Sequence, residues 1–185
     1  IVNWLKWMMQ GNAPSSDMVH SLAVQARWLS ERLEYHLLGN HLFANAKALV
    51  FAGCAFAGPE ARRWLDGGLR ILAREVPEQI LADGGQFELS PMYHALALED
   101  MLDLLNVMRR YGISPPEQWE EKLRAMRNWL ATMCHPDGDI AFFNDAAFGI
   151  AAARAELDRY AEELGYGPPP VARSGCTWLR DSGYI

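Results

Sequence analysis

The chain has 185 residues, 50% of them hydrophobic and seven of them tryptophan, and carries a formal net charge of −6. That length is enough for one domain to bury its own core without disulfide or metal staples, and the composition excludes a disordered chain. The mild acidity and the lack of any visible Lys/Arg cluster argue against a nucleic-acid partner, and no apolar stretch reaches the ~20 residues of a membrane helix: the best candidate, 44–57, contains Lys47.

Apolar residues recur at helical spacing along almost the whole chain, as in Leu22, Ala26, Leu29 and Leu33 or Leu98, Met101, Leu102, Leu105 and Met108. A short helix is expected near 2–10. Ser15-Ser16-Asp17 opens the next and Gly39 stops it; Gly58-Pro59 and Gly112 with Pro115-Pro116 punctuate the chain further on. The expected helices are 17–37, 41–57, 60–76, 91–111, 117–134 and 145–164. The segment 41–57 is apolar nearly all round, which predicts a helix covered on both sides, whereas 17–37 and 60–76 carry a charged face and read as outer helices.

The starts of three expected inner helices echo one another: Gly39-Asn40-His41, Ser90-Pro91-Met92-Tyr93-His94 and Phe143-Asn144-Asp145. Asn40 and Tyr93 are 53 residues apart, and Tyr93 and Asn144 are 51 apart. Asp83-Gly84-Gly85-Gln86-Phe87 and Asp137-Gly138-Asp139-Ile140-Ala141-Phe142 form a second echo, 54 residues apart. Antiparallel helical hairpins at this period make an all-α, incomplete α/α toroid over 1–166, with the three inner N-termini on one rim. After Gly167-Pro168-Pro169-Pro170, residues 177–185 have the pattern of a short β-hairpin, so 167–185 is expected to be a linker and the start of a β-rich domain.

On that rim, Tyr93 follows a Ser90 N-cap and a Pro91 at the first helical position, near the positive end of a helix dipole. Such a Tyr suits proton transfer, but by position alone a packing Tyr with its hydroxyl at the surface is the favoured reading. Asn40, taken alone, reads as a structural helix N-cap, and His41 and His94 as structural histidines that their shared place on the rim makes substrate-contacting candidates. Glu88 and Asp145 are the rim carboxylates that a glycoside hydrolase would need to pair. No metal site is expected, because no H-x-x-x-H or C-x-x-C pair occurs, and Cys54, Cys134 and Cys176 read as buried thiols. The chain begins at Ile1 without Met or signal peptide and reads as an excised piece.

The stretch Leu38-Gly39-Asn40-His41-Leu42-Phe43-Ala44-Asn45-Ala46-Lys47-Ala48-Leu49, followed by Leu81-Ala82-Asp83-Gly84-Gly85-Gln86-Phe87-Glu88-Leu89-Ser90-Pro91-Met92-Tyr93-His94, resembles the heparinase II/III family of bacterial polysaccharide lyases. The resemblance runs from about Trp4 to the end. It implies an α/α toroid joined to β-sheet domains and cleavage of a uronate polymer by β-elimination. Asn40 would then neutralise the uronate carboxylate, His41 would contact substrate beside it, and Tyr93 would transfer the proton. Glu88, His94, Asn144 and Asp145 are the further substrate-binding candidates.

The family supplies another catalytic histidine from its β-rich domain, so the isolated chain is expected to bind weakly and turn over little or not at all. The resemblance further implies an anionic polysaccharide substrate, the β-rich domain as partner, no cofactor, and a periplasmic or secreted location. Heparan sulfate, alginate and a bacterial exopolysaccharide all fit the substrate class; the scarcity of rim Arg and Lys leans away from a heavily sulfated one. A toroid glycoside hydrolase and a non-catalytic carbohydrate-binding toroid are the alternatives.

Overall fold

The computed structural model describes residues 1–37 and 39–171, and the expected β-hairpin and Cys176 lie outside them. Among the described residues the structure is all-helical: α1 (Val2–Met9), α2 (Ser16–Glu31), α3 (His41–Ala55), α4 (Pro59–Gln79), α5 (Pro91–Arg110), α6 (Gln118–Thr132) and α7 (Arg154–Glu163). None of these is long and apolar enough to cross a membrane. The chain divides into two compact units, one of Ile1–Pro77 with Val107–Ile113, the other of Glu78–Asn106 with the chain from Ser114 onward. The first boundary falls at Pro77 inside α4, where the ring removes a backbone donor from the helix.

In the first unit, α3 is the central element, buried on nearly every face from Leu42 to Cys54, and it packs against α1 and α2. Its contact with α4 is set by two glycines. A Cβ on Gly53 would lie 2.6 Å from the Leu65 backbone nitrogen, and one on Gly68 would lie 2.8 Å from the Ala46 carbonyl oxygen. The two backbones approach that closely because neither residue has a side chain. Helix α2 starts as expected, with Ser15 Oγ accepting from Met18 N at 3.3 Å, but ends at Glu31 rather than 37. The cause is a contact from another helix: the Glu34 amide donates to Asn45 Oδ1 of α3 at 3.0 Å instead of continuing the helix.

In the second unit, α6 supplies Trp119, Leu123, Met126, Trp129 and Leu130 to the core and meets α7 through buried Leu157 and Ala161. The charged pair Arg127 and Asp158 lies between them at 3.1 Å, with Arg154 on the other carboxylate oxygen at 3.2 Å. Tyr160 of α7 donates to Asp103 of α5 and accepts from Asn106.

The echo at 83 and 137 is a structural repeat. Ile80 and Gln86 form one antiparallel bridge, and Cys134 and Ile140 form the other, each closing the chain after a helix. In both, an aspartate caps the turn from inside, Asp83 Oδ1 accepting from Gly85 N at 2.9 Å and Asp137 Oδ1 from Asp139 N at 3.0 Å. The segments beyond the two turns differ. A helix begins at Pro91 after the first, whereas the helix expected from 145 begins only at Arg154. Asn144 adopts φ 54, outside the helical region, and the Ala153 amide donates to Glu156 Oε2 at 3.0 Å, which fixes the later start.

Candidate functional site

In the first unit, Gly39 takes φ 86 and turns the chain into α3. Asn40 follows in helical conformation, its carbonyl accepting from Ala44 N at 3.0 Å, but its side chain makes no cap hydrogen bond. The structural role that an N-cap would have given the carboxamide is therefore absent, and the group sits half-buried at the head of the helix. The ring of His41 is exposed, with Nδ1 3.7 Å from Glu34 Oε2, an ion pair when the ring is protonated. Asn45 holds that carboxylate, donating to Oε2 at 2.9 Å while accepting the Glu34 amide. Glu34 and Asn45 thus orient His41, a role that pattern reading missed because Glu34 was assigned to a helix.

In the second unit the bridge turn rests directly on α6. Gly84 has φ 93, and a Cβ there would fall on the Ala125 carbonyl, so only glycine fits. The Gln86 amide donates to His94 Nδ1 at 3.1 Å, which leaves Nε2 as the proton carrier, donating to the Met126 carbonyl at 3.0 Å. The ring is fully buried and lies 4.4 Å from that of Trp129. Burial pushes its pKa down to about 4, against smaller opposing effects of the Met126 hydrogen bond and the Asp83 charge. His94 is therefore a neutral pin between turn and helix. The expectation that it touches substrate is corrected, since both nitrogens are engaged and neither is accessible.

The pinned turn presents Glu88, Ser90 and Tyr93. Gln86 grips Glu88 twice, donating to Oε1 at 3.1 Å and accepting its amide at 3.0 Å. Ser90 Oγ accepts from Tyr93 N at 3.3 Å, the N-cap expected from the sequence, and donates to the Asp145 carbonyl at 2.8 Å. Asn144 Nδ2 donates to the carbonyls of Glu88 and Leu89 at 3.2 and 2.9 Å. Glu88, Tyr93, Asn144 and Asp145 are thereby brought together, although the helix expected after Asn144 is absent. Both amide protons of Asn144 are spent on backbone, which makes it a clamp on the Tyr93 loop rather than a hydrogen-bond donor for a sugar. The Asp145 side chain is exposed. Tyr93 is half-buried in the first turn of α5, and its hydroxyl makes no hydrogen bond among the described residues.

A third feature lies wholly in the first unit: a groove of about 550 Å³ carrying Arg27, Arg63, Arg70 and Arg74. It corrects the impression of a chain without a basic cluster. Arg63, Arg70 and Arg74 are separated by seven and four residues, a helical stripe that a search for consecutive charges passes over.

Residues 14–164 match the family model of the heparinase II/III N-terminus. The chain belongs to the heparinase II/III family. Among its relatives in that family, a heparin-sulfate lyase of Bacteroides stercoris is 35% identical over 60% of this chain and 17% of its own length. The FtsZ-localized protein C of Caulobacter vibrioides is 28% identical over 85% of this chain and 27% of its own. The crystal structure of heparinase III superposes with a TM-score of 0.69 at 25% identity, covering 86% of this chain and 28% of that one. The helical fold is thus the one shared with heparinase III, in agreement with the toroid class expected from the repeat. The chain spans less than a third of the length of each of these proteins.

Proposed function

We propose that this chain is the helical part of a polysaccharide lyase that cleaves a uronate-containing polysaccharide by β-elimination. The observation that carries the reading is Tyr93: a phenol in the first turn of α5 whose hydroxyl is unengaged among the described residues, held there by Ser90, Asn144 and the His94 pin, in a family whose relatives include heparin-sulfate lyases. In this account the Asn40 carboxamide donates to the uronate carboxylate and His41 contacts the same sugar. Tyr93 acts as the base that removes the proton from C5. The C4–O4 bond then breaks as the C4–C5 double bond forms, and the leaving O4 takes up a proton from Tyr93 or from a histidine of the further domain that the family resemblance implies. Stabilising the enolate-like intermediate is the demanding step, and the Asn40 donor acts on it.

A longer protein containing this chain, incubated with heparan sulfate, alginate and an acidic exopolysaccharide, is expected to generate the ultraviolet absorbance of an unsaturated uronate with at least one of them. New reducing ends without that absorbance would overturn elimination in favour of hydrolysis through Glu88 and Asp145. A second reading, a carbohydrate-binding module without turnover, draws on the relative named for localisation to FtsZ rather than for an enzyme, which matches 85% of this chain. Binding without either product would favour it. We place the protein in the periplasm or outside the cell, where such polymers are met; fractionation of the producing cell tests this.

A further inference from the structure

The groove between α2 and α4 holds four arginines against two glutamates, Glu31 and Glu60, in a chain whose net charge is −6. Arg27 of α2 is held in place by a two-pronged bond to Glu60, Nε to Oε1 at 2.6 Å and Nη2 to Oε2 at 2.7 Å. Arg63, Arg70 and Arg74 form one stripe along α4. Arg63 and Arg70 make no hydrogen bond or ion pair within 4 Å among the described residues; Arg63 feels the Glu60 charge, which is already bonded to Arg27, and both guanidinium groups line the groove. Gly67 lies between them and keeps the wall low, since a Cβ there would meet only the Arg70 guanidinium, at 4.0 Å. At one end the ring of Tyr35 is 60% exposed, with the Arg74 guanidinium 5.9 Å from its centre.

We propose that this groove is a binding subsite for an anionic oligosaccharide, separate from the Tyr93 loop. Guanidinium forks match sulfate and carboxylate oxygens in pairs, which suits repeated charges along a polymer. An exposed phenol ring beside them offers the apolar face of a sugar ring a surface to lie on. The volume of about 550 Å³ falls within the roughly 300–1,000 Å³ typical of small-ligand sites. All four arginines are solvent-exposed; Arg27 is paired with Glu60 and Arg74 with Glu75, so Arg63 and Arg70 are the donors the groove offers to a ligand. The class of polymer rests on the lyase reading above; the positive groove does not.

The test uses a longer protein containing this chain and heparin-derived oligosaccharides of defined length, with binding read by calorimetry at low salt and without turnover. The double variant Arg63→Ala/Arg70→Ala is expected to weaken binding roughly two- to thirtyfold, the sum of two solvent-exposed charge contacts. Gly67→Glu, which leaves both arginines in the sequence but sets a carboxylate beside them to compete for their guanidinium groups, is expected to weaken it in the same direction. Unchanged affinity in both variants would overturn the subsite whatever the enzyme does. Polyglutamate displacing the oligosaccharide at equal charge concentration would overturn a sugar as its ligand. Loss of binding in the variants of a protein that eliminates no polymer would uphold the subsite while sinking the lyase reading.

Discussion

Replacing His94 with Gln tests how the Tyr93 loop is held. The buried ring accepts from Gln86 N and donates to the Met126 carbonyl, and its pKa is about 4 against an ordinary value of 6.5. Between those values the unfolded chain takes up a proton that the folded state refuses, so acid favours unfolding. The stabilisation is complete above pH 6.5 and is lost as pH falls towards 4. At about 1.4 kcal/mol per pKa unit the difference amounts to about 3 kcal/mol. Gln cannot titrate. It can reach the Met126 carbonyl but leaves the buried Gln86 amide without an acceptor, a cost of roughly 1–3 kcal/mol near neutrality. Urea unfolding at a series of pH values should therefore show the variant less stable at pH 7.5 and the gap closing as pH falls to 4. All other titrating groups are common to both proteins and cancel. Two stability curves that stay parallel from pH 7.5 to 4 would refute the assignment of His94 as a buried neutral pin.

The packing dictates three further outcomes. The neighbours Gly67 and Gly68 should respond to alanine with opposite signs. Gly67→Ala gains about 0.5–1 kcal/mol from the loss of backbone freedom, whereas Gly68→Ala drives a methyl against Ala46 and Val50 and costs roughly 1–3 kcal/mol; thermal melts read both. Arg127→Met orphans part of the Asp158 carboxylate and should cost roughly 3 kcal/mol, the low end for a broken buried pair because Arg154 remains, and Arg127→Met/Asp158→Leu should recover much of it in urea titrations. Burial raises the thiols of Cys54 and Cys134 to about 11, so in a Cys176→Ser background a disulfide reagent at pH 8 should react with them about a hundredfold more slowly than with a free thiol.

The elements that pattern reading located best are those governed by local chemistry. Ser15, Gly58-Pro59 and Ser90-Pro91 start helices where capping and proline geometry put them, and the all-round apolar sequence of α3 matches its all-round burial. The places where it failed are governed by contacts distant in sequence. Helix α2 stops early because Asn45 takes the Glu34 amide, and the residues after Asn144 stay irregular because its side chain is clamped on the Glu88–Leu89 carbonyls. His94 looked like a site residue because it adjoins Tyr93, but one step along a helix turns a side chain by about 100°, here from the half-exposed face into the core. The arginine groove was invisible because its residues come from two helices and alternate with neutral ones.

That Tyr93 moves the proton and Asn40 carries the developing charge is tested most directly by the rate at which unsaturated uronate absorbance appears. The comparison is made in a longer protein containing this chain, among the unchanged protein, Tyr93→Phe and Asn40→Ala. Loss of a general acid–base group is expected to lower kcat by roughly 10²–10⁴, and loss of the carboxylate donor by roughly 10²–10³, with unfolding midpoints unaltered because neither side chain makes a hydrogen bond among the described residues. A Tyr93→Phe protein that forms the double bond at the original rate would contradict the account.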